Sequence, residues 1–114
     1  MADYLYLIRG RNHESMTPEQ MQKHLQKWRT WIENLTKDGI FKDGQPLDND
    51  GKSIRGRKAV VTDGPFAESK DLVNGYLIIK ASSLSKATEI AKDCPVFEVD
   101  GAVEVREIKD LMSM

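Results

Sequence analysis

The chain has 114 residues, with 17 Lys plus Arg against 18 Asp plus Glu and a formal net charge of -1. That length suits one domain with one core, so residues 1–114 are read as a single domain. The near-neutral balance argues against a general nucleic-acid or anionic-membrane binder, since both need a positive excess. No apolar run approaches the ~20 residues of a bilayer span. Met1-Ala2-Asp3 passes straight into a strand-like run without signal-peptide features. A single cysteine, Cys94, excludes an internal disulfide and a multi-Cys metal site, and fits a reducing cytoplasm.

Tyr4-Leu5-Tyr6-Leu7-Ile8 is apolar on both alternating faces, the pattern of a central strand. A helix follows. Thr17 is a good N-cap, Pro18 suits the first helical position and Gln20 the capping-box position, with Met16 and Met21 placed for a hydrophobic staple. Met21, Leu25, Trp28, Ile32 and Leu35 fall on one stripe, while Lys23, Gln26, Lys27, Thr30, Glu33 and Lys37 fall opposite. Gly39 reads as the residue just past the helix end.

Ile40 to Leu47 is a short extended stretch, and Asp48-Asn49-Asp50-Gly51 is a tight-turn signal. Lys58 to Thr62 reads as the next strand, stopped by Gly64 and Pro65. Gly75 to Ala81 is a second run that is apolar on both faces. Ser83 then caps a second helix whose inward stripe is expected to be Leu84, Ala87, Ile90, Ala91 and Cys94, limited by Pro95. In the last strand, Ala102 to Ile108, Val103 and Val105 share one face and Glu104 and Arg106 the other.

This order, β-α-β-β-α-β with an extra hairpin, predicts an α+β, ferredoxin-like sandwich with the two fully apolar strands in the middle. Two helices cover only one face of such a sheet. A homodimer with its sheets facing is the simplest cover for the other; the alternative is the hairpin at 44–58 together with the C-terminal tail.

Two histidines are present. His13 lies in a polar loop, and His24 lies at the margin of the apolar stripe, one turn from Trp28 and two from Trp31. A partly buried imidazole with an acceptor nearby can act as a general base, though the same position suits a structural histidine packed between tryptophans. The second unusual feature is Thr62-Asp63-Gly64-Pro65-Phe66-Ala67-Glu68-Ser69-Lys70-Asp71. Asp63 can fold onto following backbone amides, Phe66 must anchor the loop or cover a cleft, and Glu68 and Lys70 can pair with each other or face a ligand. The alternative is a rigid turn without chemistry.

Arg9 and Arg106 suit bidentate grip of a carboxylate or phenolate, against pairing with Glu104 or Glu107. Lys52, Arg55, Arg57 and Lys58 make a basic hairpin without interleaved aromatics, read as solvated. Cys94 reads as a small core residue. No His or Cys pair has metal-ligand spacing and no phosphate-cradling glycine loop is present, so neither metal nor cofactor is expected.

Val61 to Lys70, followed by Gly75-Tyr76, resembles the signature of the DGPF-domain proteins within the YCII-related superfamily. Cys94-Pro95, Val103 to Ile108 and the Tyr4 to Arg9 strand before a Trp-bearing helix extend the resemblance over nearly the whole chain. It implies a ferredoxin-like domain dimerising through its sheets, of the dimeric α+β barrel type. It also implies a His–Asp pair facing a cleft, carried here onto His24 and Asp63. Ser69 and Asp71 depart from the family's usual Thr and Glu.

The expected function is therefore acid–base, lyase-like chemistry on a small polar or aromatic compound. His24 and Asp63 would be catalytic, and Arg9, Trp28, Phe66, Glu68, Lys70 and Arg106 would bind substrate. The alternative is a non-catalytic ligand-binding or regulatory module using the same cleft, with a link to transcription resting on family analogy alone.

Overall fold

The computed structural model describes residues 1–10, 16–64 and 72–113. Four strands form the main sheet: β1 (Ala2–Arg9), β2 (Phe41–Pro46), β5 (Val73–Ala81) and β6 (Ala102–Glu107), in the order β2-β5-β1-β6 with every neighbouring pair antiparallel. The runs apolar on both faces occupy β1 and β5, the two central positions. Helices α1 (Pro18–Lys37) and α2 (Leu84–Ala91) complete an α+β arrangement consistent with a ferredoxin-like fold. Neither helix is long and apolar enough to cross a membrane.

Alternation along β1 divides the sheet into two unlike faces. Tyr4, Tyr6 and Ile8 point under the helices and are buried, joined there by Leu77, Ile79 and Ala81 of β5. Leu5 and Leu7 stand on the opposite face with Tyr76 and Ile78, and all four are only half-buried. β6 follows the same pleat. Val103 and Val105 pair with Ile8 and Tyr6, whereas Glu104 and Arg106 pair with Leu7 and Leu5 on the open face.

Helix α1 begins as its sequence demands. Thr17 Oγ1 accepts from the Gln20 amide at 3.1 Å, and Gln20 Oε1 accepts from the Thr17 amide at 2.9 Å, a complete capping box. Helix α2 meets the sheet through small side chains. Ala87 and Ala91 are buried, and the Tyr6 hydroxyl donates to the Ala87 carbonyl. Leu84, expected on the inward stripe, is 53% exposed, because the first turn of α2 lies where the chain has just left β5.

Two features escaped the sequence pattern. Pro95–Val99 continues past α2 as a 3-10 helix whose Val96 and Val99 are buried. Gly101 closes it: a Cβ there would lie 2.8 Å from the Arg9 carbonyl and against the Val96 side chain, so only glycine permits this packing. The second feature is the hairpin. Among the described residues, β3 (Gly51–Arg55) and β4 (Val60–Gly64) pair only with each other, as a separate two-stranded sheet. It turns at 56–59, where Gly56 and Ala59 have positive φ, rather than at Asp48–Gly51, which only leads into β3. Ile54, Val60 and Val61 are all more than half exposed on it.

Candidate active site

His24 is not a margin residue. It is 2% exposed, among the largest fully buried side chains of the chain. The 3-10 helix explains this, because it packs against α1 and brings Glu98 to the ring. His24 Nδ1 lies 3.5 Å from Glu98 Oε2. On the other side the Trp28 indole Nε1–H donates to His24 Nε2 at 3.1 Å, the i,i+4 contact that the helical spacing placed there. Trp28 in turn meets Trp31 edge-on, with ring centroids 5.7 Å apart at 76°.

Glu98 has a second partner. Lys27 Nζ donates to its Oε1 at 2.7 Å. That hydrogen bond holds the Glu98 carboxyl below the usual carboxylate range despite partial desolvation, and the His24 contact adds to the effect. A charge-assisted chain thus runs Lys27–Glu98–His24–Trp28.

The chain of contacts ends at a cavity. A hollow of about 220 Å³ lies between α1 and the β2-β5-β1 side of the sheet. His24 and Trp28 form part of its wall, with Ile32, Phe41, Asn74 and Tyr76 among the others. The lining is predominantly apolar and, among the described residues, includes no Lys, Arg, Asp or Glu. Gly44 forms part of the floor; a Cβ there would lie 2.9 Å from the Tyr76 carbonyl, so the close approach of β2 to β5 requires its absence. Asn74 is buried and donates through Nδ2 to the Leu72 carbonyl at 3.1 Å.

The other expected site residues fall elsewhere. Asp63 is not beside His24. It sits on β4, with its side chain 84% exposed, and pairs with Lys52 across the hairpin. The reason is topological: the hairpin forms its own sheet, so its strand end does not close the middle of the main one. Arg9 pairs with Glu104 at 3.4 Å, and Arg106 approaches the same carboxylate at 3.9 Å. These groups stand on the open face, away from the cavity wall, which is the ion-pair alternative for both arginines. Phe66, Glu68, Lys70 and His13 lie outside the described residues.

Glu98 was missed because it is 74 residues from His24 in sequence. The one available signal was an acidic residue inside the apolar run Pro95-Val96-Phe97-Glu98-Val99. Cys94 is buried as expected, and burial pushes its thiol up to about 12. No group of three or more His, Cys, Asp or Glu among the described residues is arranged to hold a metal ion.

No curated protein matches the chain. Among solved structures, 5-chloro-2-hydroxyhydroquinone dehydrochlorinase (TftG) from Burkholderia phenoliruptrix AC1100, in complex with 2,5-dihydroxybenzoquinone, is similar at 17% identity. The match covers 96% of this chain and 97% of that one, with a TM-score of 0.47. The YCII-related domain matches residues 3–112, and the chain belongs to that family.

Proposed function

We propose that this protein binds a small polar or aromatic compound in the His24 cavity and moves a proton on it through His24. The observation that carries this reading is an imidazole almost sealed from bulk water that nonetheless forms part of a cavity wall and faces a carboxylate. An engineered apolar cavity of about 150 Å³ admits benzene, so 220 Å³ suits one ring with small substituents. His24 supplies the acid–base group, Trp28 and Ile32 flank the ligand, and Glu98 takes the orienting role expected of Asp63.

The active form in this reading is a cytoplasmic homodimer of the DGPF subtype, and Asp63 of one copy is the residue through which a hairpin would reach the site of the other. The half-buried Leu5, Leu7, Tyr76 and Ile78 on the open face support sheet-to-sheet association, as do the exposed apolar residues of the hairpin.

A second reading, a ligand-binding or regulatory module without turnover, is favoured by one contact: the Trp28 N–H already occupies the His24 Nε2 lone pair. A panel of hydroxylated and carboxylated single-ring compounds, followed for turnover, separates the two. If His24 transfers the proton, His24→Ala lowers turnover by about 10²–10⁴-fold. Asp63→Asn does the same only if the hairpin of a second copy completes the site. Ligand binding with no turnover by any compound selects the module. Turnover that survives His24→Ala overturns the catalytic reading.

A further inference from the structure

We infer that Glu98 and Trp28 are positioning residues that lock the His24 ring in its Nδ1–H form, with Trp28 as a removable cap that a ligand must replace by its own N–H or O–H donor. This rests on reading the cavity as the ligand site.

An indole Nε1–H only donates, so the His24 Nε2 that lies 3.1 Å from it must carry a lone pair. The ring proton is then on Nδ1, the atom that faces the Glu98 carboxylate. Lys27 keeps that carboxylate charged and aimed, and a charged acceptor favours the proton on the near nitrogen. Both neighbours therefore select the same tautomer, from opposite sides of the ring.

Among the described residues, the charged groups at the ring are Glu98 from the 3-10 helix and, behind it, Lys27 from α1. Among the described residues, Tyr76 of β5 is the other titratable residue that lines the cavity, and its side chain stands on the opposite face of the sheet. β1 contributes Ile8 to the lining, and β2 contributes Phe41, Gly44, Gln45 and Pro46.

The cap differs from the lock in its freedom. His24 is 2% exposed, whereas Trp28 is half-buried and lies on the cavity wall beside it. A ligand that displaces the indole from Nε2 without offering a donor removes that hydrogen bond from a buried acceptor, which weakens binding by about tenfold or more. One that offers a donor exchanges one hydrogen bond for another. Trp28 thus sets specificity for donors through the hydrogen bond it makes to His24 Nε2.

The test uses the whole chain, labelled with ¹⁵N at histidine, with phenol as donor probe and anisole as its donor-free counterpart. The free protein should show Nδ1 protonated and Nε2 bare at neutral pH; a ring protonated on Nε2 overturns the lock. Phenol should shift the His24 Nε2 and Trp28 indole N–H signals saturably and bind at least about tenfold more tightly than anisole. Equal affinities overturn the donor requirement. Trp28→Phe should strengthen phenol binding several-fold, and Glu98→Gln should mix the two tautomers. Should Trp28→Phe fail to fold, the phenol–anisole contrast on the unaltered chain decides the matter. Binding of neither compound overturns the cavity reading and the cap together, while the tautomer of the free protein decides the lock separately.

Discussion

Two of the molecule's carboxylate–cation pairs have similar chemistry and unlike places. Glu98 with Lys27 sits where the 3-10 helix meets α1 and reaches a buried imidazole. Asp63 with Lys52 sits on a hairpin strand, and both side chains are mostly in water. An ion pair in bulk solvent contributes little, typically below ~1 kcal/mol. The Lys27–Glu98 pair is itself partly exposed, but its second carboxylate oxygen faces a buried ring, whose orientation and tautomer it fixes because fewer water dipoles compete at that ring. The strand end at Asp63 draws attention in the sequence, yet the carboxylate that packing brings to the histidine is Glu98.

The largest expected effect tests whether the main sheet, rather than the hairpin, carries the stability. Ile79 is fully buried in the centre of the sheet, so Ile79→Ala should cost about 2–5 kcal/mol in chemical denaturation. Gly101→Ala should cost about 1–3 kcal/mol, since the added methyl has the Arg9 carbonyl and Val96 in its way. Thr17→Ala removes one half of the capping box of α1 and should cost about 1 kcal/mol.

Ile54→Ala on the hairpin should change the stability of a single chain by no more than about 0.5 kcal/mol. If the same substitution also lowers the association constant in sedimentation, the hairpin's apolar residues are buried by a second copy. A cost near that of Ile79→Ala in a monomer would mean that the hairpin carries as much of the stability as the main sheet.

Alkaline pH probes the same contrast without mutation. Burial raises the Tyr6 phenol above its ordinary range and the Cys94 thiol to about 12. The unfolded chain releases these protons nearer 10.0 and 9.0. Between those values the native state binds more protons, so stability falls as pH rises from about 9 and continues falling to about 12. Glu98 works in the opposite sense at the acid end. Its lowered folded value means that its contribution is present above the unfolded carboxylate range and is lost as pH falls through that folded value. Denaturation midpoints across pH check both limbs.

Much of the fold was written in local pattern. The two-face apolar runs placed β1 and β5 in the middle, the Thr17–Gln20 box started α1, and Gly39 ended it. Each of these rests on interactions within a few residues or on a two-residue period, which sequence displays directly. The hairpin turn was misplaced because Asp48–Gly51 and residues 56–59 both carry turn chemistry, and cross-strand register, not propensity, selects between them.

The sequence alone determined that His24 and Trp28 would share a helix face, since 3.6 residues per turn leaves no other outcome once α1 forms. Tertiary structure alone decided that the ring would be buried, that its carboxylate would be Glu98 from the far end of the chain, and that Asp63 would remain in water. The reason is that burial and long-range pairing depend on where the 3-10 helix and the hairpin dock, and residues distant along the chain leave no periodic trace of meeting.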